Sequence, residues 1–392
     1  ANDQMLANFG TIELQMGNAK YAIELLDRSI LIKPNQPNIL NNLGNYYLEN
    51  GDVQKSIKYF DMAISLGSEN FNAFYNKGRA MTSINSMEDA INCYKQAIKI
   101  NPENKATHLN LGFIFNSTNR FDEAIHEYNI AIDLDENFTE AIFNRGITFS
   151  NQGNHEKAIE DFDVAIRIDR NARFILKRAS SYEKLESFSK ALDDYSHIIS
   201  SGSLNKDKAM AYCRRGRLQN QMNNLEKGMP DIEMAINLQP DNSDFYNEFA
   251  FGLEKLNRNE EATKRYKHAI ELDPENYIAQ MNLSRLELAS HNYRSGWQRY
   301  ESRWKAQGLG LIPLVTKKPK LESFEVKNKK ILIWGEQGLG DYIIYSTILP
   351  DALKTDNEFI VVLDSRLLDL YKASFKDFKN VVFLDSADNE DL

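Results

Sequence analysis

Residues 71–104 read FNAFYNKGRAMTSINSMEDAINCYKQAIKINPEN, and residues 105–138 read KATHLNLGFIFNSTNRFDEAIHEYNIAIDLDENF. The two stretches place glycine, alanine and aromatic residues at the same intervals, so that Gly112 follows Gly78 by 34 residues (112 − 78 = 34). Self-similarity at one fixed period indicates a protein assembled from copies of one supersecondary unit. The residues that keep this phase are Gly44, Gly78, Gly112 and Gly146; Ala90, Ala124 and Ala158; Ala63, Ala97, Ala131 and Ala165; and the rings Phe60, Tyr94, Tyr128 and Phe162.

The 34-residue pattern resembles the tetratricopeptide repeat family, whose unit is a helix–turn–helix hairpin. In that unit, a small residue at position 8 lets helix A approach helix B, and a ring at position 24 fills the wedge between them. Prolines such as Pro34 and Pro102 follow helix B, because a proline cannot continue the hydrogen-bond ladder of a helix. One hairpin cannot bury its own apolar face, so neighbours must stack. The resemblance therefore implies a mainly α chain folded as a right-handed superhelical solenoid.

The repeats extend over residues 1–292, with about eight units and a divergent ninth. The units begin near Asp3, Pro37, Phe71, Lys105, Thr139, Ala172, Ala209, Ser243 and Tyr277. Residues 201–208 add three residues to the sixth unit, and we expect them to lengthen its final loop. The ninth unit has Arg303 where alanine is expected, which is typical of an adaptor or a cap.

A row of asparagines stands at position 6 of the predicted helices A. Its members are Asn8, Asn42, Asn76, Asn110, Asn144 and Asn282. A side-chain amide both donates and accepts hydrogen bonds, so a spaced row of amides can hold a peptide backbone. The row resembles the asparagine ladder of protein O-linked N-acetylglucosamine transferases, which implies a polypeptide bound in the concave groove. A solvated polar face is the alternative, and a homodimer formed through the repeats is left open.

Charged residues interrupt the row in the sixth to eighth units. Lys177, Arg214 and Glu248 occupy position 6 there. A second alternative is therefore a cluster of cations that holds carboxylates, as in the two-carboxylate clamp of tetratricopeptide co-chaperones. The residues that could supply it are Lys177, Arg178, Arg214, Arg215 and Arg217.

The pattern changes after Tyr293. Residues 293–328 are predicted to hold a capping helix, with Trp297, Tyr300 and Trp304 on one face, followed by a linker rich in Gly, Pro and Lys. Residues 329–392 then predict strands at 330–334, 359–363 and 381–384, with helices at 342–353 and 367–375 between them. Strands that alternate with helices indicate the opening of a Rossmann-like α/β domain.

A glycine loop, Gly335-Glu-Gln-Gly-Leu-Gly-Asp341, follows the first of these strands. It lacks both the dinucleotide fingerprint and the P-loop lysine. It resembles the N-terminal half of a GT-B glycosyltransferase of the heptosyltransferase-like group, found in bacterial fusions with tetratricopeptide arrays. The resemblance implies that Gly335, Gly338 and Gly340 shape the loop and that Asp341 is the acceptor-side base. A helix-capping role for Asp341 and a ribose-binding role for Asp364 are the alternatives.

Two functions follow from these patterns. In the first, the chain is the acceptor-recruiting part of a bacterial protein glycosyltransferase, whose co-substrate would be a nucleotide-sugar. Because such enzymes bind the nucleotide-sugar in a second Rossmann-like domain, which 392 residues do not include, we expect no catalysis and no cofactor in this chain alone. In the second, the chain is a non-catalytic scaffold with a vestigial tail. A truncated and a natural chain both fit.

Composition limits the kinds of partner and site that the chain is expected to have. A net charge of −9 argues against nucleic acid as a partner, since phosphates call for a basic surface. No apolar run reaches the roughly 20 residues of a membrane helix, which predicts a protein without membrane partners. Two distant cysteines, Cys93 and Cys213, fit a reducing cytoplasm. The six histidines show no shared ligand spacing, so we expect no metal site.

Overall fold

The computed structural model describes residues 2–67, 70–306, 319, 321, 326–334, 343 and 346–385. The chain divides into two compact parts, residues 1–240 and 241–392. Seven helical hairpins make up the first part. Their helices are α1 (Asp3–Gln15), α2 (Ala19–Ile32), α3 (Pro37–Glu49), α4 (Val53–Leu66), α5 (Phe71–Ser83), α6 (Met87–Ile100), α7 (Lys105–Ser117), α8 (Phe121–Leu134), α9 (Thr139–Asn151), α10 (His155–Ile168), α11 (Ala172–Lys184), α12 (Phe188–Ser200), α13 (Asn205–Gln221) and α14 (Leu225–Leu238).

Two further hairpins open the second part. They consist of α15 (Ser243–Lys255), α16 (Asn259–Leu272), α17 (Tyr277–Ala289) and α18 (Tyr293–Tyr300), and a short 3₁₀ turn, Glu301–Trp304, continues α18. Odd-numbered helices are helices A and even-numbered ones are helices B. Eight of the nine predicted starts of helix A coincide with the first residue of a helix. Positions within a hairpin are numbered below from those predicted starts.

The exception is α13, and it corrects one prediction. The three added residues do not lengthen the loop of the sixth hairpin. Instead α13 begins at Asn205, four residues before the predicted start, and runs for 17 residues where the other helices A have 13. Residues 205–208 are polar and contain no proline or glycine, so one more helical turn satisfies their backbone groups better than an open loop does.

Each A–B turn contains a residue with positive φ at position 15. Glycine occupies it in three hairpins, for example Gly17 with φ 84°, and asparagine in four, for example Asn85 with φ 60°. Both residue types tolerate the left-handed region better than the others do. Glu186 and His291 take the same conformation in the sixth and ninth hairpins. This single backbone position therefore turns each helix A into its helix B.

Within a hairpin, the small residue at position 8 lies directly on the ring at position 24. A Cβ added to Gly44 would lie 2.4 Å from the Phe60 ring, and one added to Gly112 would lie 2.7 Å from the Tyr128 ring. Both rings are fully buried. The predicted packing of a small residue against a ring is therefore confirmed, and it sets the distance between the two helices of a hairpin.

A small parallel sheet follows the repeats. It contains β1 (Lys330–Trp334), β2 (Glu358–Leu363) and β3 (Val381–Asp385) in the order β1-β2-β3, with α19 (Leu349–Ala352) and α20 (Ser365–Ser374) in the connections. These strands and α20 confirm the predicted elements. The predicted helix over 342–353 is found only as a 3₁₀ turn, Ser346–Ile348, and α19, while residues 342, 344 and 345 lie outside the described residues.

None of the helices among the described residues is both long and apolar enough to cross a membrane. Among the same residues, no group of three or more His, Cys, Asp or Glu side chains could hold a metal ion.

Candidate functional site: the exposed face of helices A

Helices A of residues 2–240 share one exposed stripe, which we call the A-face. Positions 2, 9 and 13 are exposed or half-buried in all seven of these helices, and position 6 lies on the same side of the helix. Consecutive helices A also contact each other, for example α7 with α9 and α9 with α11. The stripes of neighbouring hairpins therefore lie side by side and form one continuous surface.

The asparagines of position 6 divide into two groups. Asn76 and Asn282 are buried, and their amide nitrogens donate to the preceding hairpin, Asn76 to Asn41 Oδ1 and Asn282 to Asn247 Oδ1, each at 3.0 Å. Asn110 is half-buried and donates to the Tyr75 hydroxyl at 3.1 Å. These three amides connect α5, α7 and α17 to the helix A of the preceding hairpin.

The other three asparagines reach the surface more openly. Asn8 is exposed and accepts a 3.0 Å hydrogen bond from Gln4 Nε2, whereas Asn42 and Asn144 are half-buried. Next to Asn110 and Asn144, position 9 carries the apolar side chains Phe113, which is 51% exposed, and Ile147. The A-face of the fourth and fifth hairpins thus combines amide groups with apolar contacts.

Arginine at position 7 makes a repeated ion-pair cluster inside the fifth to seventh hairpins. Arg178 donates from Nε and Nη2 to both carboxylate oxygens of Asp194, at 2.9 and 2.5 Å, and from Nη1 to Asp163 at 2.6 Å. Asp194 lies on helix B of the same hairpin and Asp163 on helix B of the hairpin before. Arg145 with Asp161 and Asn129, and Arg215 with Asp231 and Ser196, repeat this arrangement.

The third hairpin has an incomplete version of the same cluster. Lys77 at position 7 pairs with Asp61 of the preceding helix B at 2.6 Å. Its own helix B has buried Cys93 where the fifth to seventh hairpins have aspartate. Burial raises the pKa of the Cys93 thiol despite the nearby Lys77 ammonium, and the buried side chain packs in the interior of the hairpin.

The predicted carboxylate-holding cations are mostly used within the chain. Arg178 and Arg215 belong to the buried clusters, and Arg217 donates to Glu183 at 2.8 Å. Glu183 also accepts from the buried Tyr195 hydroxyl. At Lys177, partial desolvation and the charge of Arg214 both lower the pKa of the ammonium group. Lys177 and Arg214 both stand at position 6 of the A-face, and Arg214 also forms a side-chain hydrogen bond with Tyr195.

Tetratricopeptide repeat models match four stretches of the chain, residues 8–72, 78–118, 117–173 and 209–242. The chain is a tetratricopeptide repeat protein. Over 158 residues it is 28% identical to protein FlbA of Caulobacter vibrioides, which corresponds to 37% of this chain and 25% of FlbA. The chain thus matches only a quarter of the length of that relative.

Several solved tetratricopeptide structures are similar. A repeat protein of Parabacteroides merdae, 18% identical, covers 64% of this chain and 98% of its own, with a TM-score of 0.49. MamA of Desulfovibrio magneticus, 21% identical, covers 43% of this chain and 95% of its own, with a TM-score of 0.41. YrrB, described as having an unusual peptide-binding site, is 22% identical and covers 44% of this chain and 90% of its own, with a TM-score of 0.40.

One histidine of the tetratricopeptide array is held between two acceptors. His108 on α7 is buried, and its ring nitrogens lie 2.6 Å from Glu127 Oε2 and 3.0 Å from the Pro102 carbonyl. Burial opposes its charged form, but the hydrogen bonds to Glu127 and Pro102 outweigh it and raise the pKa of His108. Because both partners accept, the ring must donate from both nitrogens, which only the imidazolium form does.

The predicted residues of the tail are only partly described. Gly335, Gly338, Gly340 and Asp341 lie outside the described residues, so their roles stay predictions. Asp364 follows β2 and caps α20 by accepting from the backbone N–H of Arg366 at 3.0 Å. Its hydrogen bonds with the Arg366 side chain and backbone lower the pKa of Asp364 to about 2. The structure therefore shows Asp364 in a helix-capping role.

Proposed function

We propose that this tetratricopeptide repeat protein binds an extended polypeptide along the A-face of its fourth to seventh hairpins. The observation that carries the proposal is the combination of half-buried amides, Asn110 and Asn144, with apolar Phe113 and Ile147 beside them on adjacent helices. Amides can pair with a peptide backbone, and apolar side chains can take up one of its hydrophobic residues. The cations Lys177 and Arg214 then favour an acidic residue toward the C-terminal side of the array.

The test is capture from a random peptide library followed by affinity measurement. Replacing Asn110 and Asn144 with alanine removes hydrogen bonds worth about 1 kcal/mol each, so we expect the Kd of the selected peptides to weaken at least about tenfold. The matched control replaces Asn92 and Gln96, exposed polar residues on helix α6, with alanine. Equal retention of peptides by both variants at unchanged helicity would show that the A-face is only solvated.

We also propose the finer function that the sequence resemblance suggests, in which the bound polypeptide is the acceptor of a glycosyltransferase. The parallel sheet β1-β2-β3 downstream of the repeats supports this view, because β1 leads directly into the predicted glycine loop. The test is the coding sequence that follows the codon for Leu392. A second α/β domain there would support glycosyl transfer, whereas an immediate stop codon would favour the alternative, a non-catalytic tetratricopeptide scaffold.

A further inference from the structure

Helix α1 exposes an apolar stripe along its length. Met5, Phe9, Ile12 and Met16 are 69%, 48%, 49% and 69% exposed. They are spaced by four, three and four residues, so they lie on one side of the helix. Four large apolar side chains exposed to water are unfavourable, because removing apolar surface from solvent lowers the free energy.

Later helices A bury two of the four corresponding positions, positions 3 and 10. Position 3, where α1 has Met5, is occupied by residues that are 0–2% exposed in α5, α7, α9, α11 and α13: Ala73, Thr107, Ala141, Phe174 and Ala211. Position 10, where α1 has Ile12, is equally buried in the same helices: Ala80, Ile114, Thr148, Ser181 and Leu218.

Helix B of the preceding hairpin covers these positions. The pairs α4 with α5, α6 with α7, α8 with α9 and α10 with α11 all pack together. The alanine at position 27 of helix B joins the same buried cluster as position 3 of the following helix A, as Ala63 does with Ala73 and Ala131 with Ala141. Met5 and Ile12 of the α1 stripe therefore form the same half of an interface that recurs along the array.

A second observation concerns the residue before α1. The Asn2 side chain accepts from the backbone N–H of Gln4 at 3.2 Å. Asn171 and Asn242 cap α11 and α15 in the same way, and each of them ends the loop that connects a helix B to the next helix A. Asn2 thus has the residue type and the capping role of the last residue of such a loop.

We infer that the α1 stripe receives helix B of a further tetratricopeptide hairpin, joined to α1 through the loop that Asn2 ends. The occupant is an amphipathic helix with alanine at its position 27, which leaves room for Met5. The helix α6 is the best template, because the helix A it covers has Leu111 and Ile114 at positions 7 and 10, where α1 has Phe9 and Ile12.

The test joins a copy of residues 71–104, which contain α6, in place of residues 1–2 of the full chain. Oxidation of Met5 by hydrogen peroxide is then followed by peptide mass spectrometry, with Met222 as internal reference, because Met222 stands at position 14 and stays 50% exposed although a hairpin precedes it. We expect Met5 to lose its reactivity, while Met222 and Met16, which also stands at position 14, keep theirs. A matched fusion that also carries Phe9→Glu and Ile12→Glu should leave Met5 reactive.

Three outcomes would overturn the inference. A Met5 side chain that oxidises at the same rate in the fusion and in the parent chain would show that no hairpin packs on the stripe. Protection of the parent chain that grows with its concentration would identify a second copy as the occupant. A natural coding sequence in which no helical hairpin of this pattern precedes Asn2 would exclude the connection through the chain itself.

Discussion

The arginine cluster of the sixth hairpin offers a quantitative test of how the repeats are held together. Asp194 is 7% exposed, and Arg178 makes both of its carboxylate contacts as well as one to Asp163 of the preceding hairpin. Replacing Arg178 with methionine keeps most of the buried stem but leaves the Asp194 carboxylate without its cation. Removing one partner of a buried ion pair costs about 3–5 kcal/mol, so we expect a loss of stability of that size.

The double variant Arg178→Met, Asp194→Leu separates the charge from the packing. Replacing a buried ion pair by apolar residues of similar volume is often neutral or stabilising. We therefore expect the double variant to recover most of the free energy of unfolding that Arg178→Met loses. The matched control is Arg258→Met, because Arg258 pairs with Glu261 on an exposed helix surface with both side chains about half exposed. Exposed pairs contribute about 0–1 kcal/mol, so this change should have little effect.

Urea unfolding followed by circular dichroism measures the free energy of unfolding, and hydrogen exchange reports which hairpins open first. Stability in a repeat array is a sum of local and nearest-neighbour terms, so the loss should appear as faster exchange in α10, α11 and α12. A single variant within about 1 kcal/mol of the wild type would refute the reasoning. It would mean that water or a neighbouring cation replaces Arg178 at no cost.

Two further predictions concern single positions. Gly44→Ala should destabilise the chain by about 1 kcal/mol, because overpacking against Phe60 costs about 1–3 kcal/mol and exceeds the roughly 1 kcal/mol gain in helix propensity. Gly67→Ala should not destabilise it, because a Cβ added at Gly67 would have nothing within 4 Å. Equal melting temperatures of the two variants would contradict this prediction. The raised pKa of His108 should give stability that is fully present below the unfolded-state pKa of about 6.5 and is lost as the pH rises through the folded-state value. The difference in unfolding free energy between wild type and Glu127→Gln should therefore be larger at pH 5.5 than at pH 8.5, and a difference independent of pH would disprove the assignment.

Much of the helical fold is readable from the sequence, because each hairpin repeats the same packing solution. Gly78 and Tyr94 predict a close helix pair, and the structure places the ring under the glycine. The extra turn of α13 was missed, since an inserted segment fits a loop and a longer helix equally well at the level of composition. Only the observed length of α13 shows that the inserted residues extend the helix and not the loop.

The candidate site was less predictable. Position 6 was correctly placed on helices A, but burial of Asn76 depends on its contact with Asn41 in another hairpin, which no local pattern contains. The ion-pair clusters left a signal that the sequence reasoning missed. Arginine and aspartate stand 16 residues apart in three successive hairpins, beginning with Arg145 and Asp161. A search for co-periodic opposite charges would have found them.

The polar ties between neighbouring hairpins have a consequence for how this array can be rearranged. Arg217 of the seventh hairpin forms an ion pair with Glu183, which stands at position 12 of the sixth hairpin. After transposition behind the fourth hairpin, the same arginine would face Asn116 at that position, and an ion pair would become a neutral contact. Hairpins with equivalent apolar packing thus differ in the polar contacts that they make with their neighbours. Moving or deleting a hairpin should therefore preserve stability at some junctions and reduce it at others.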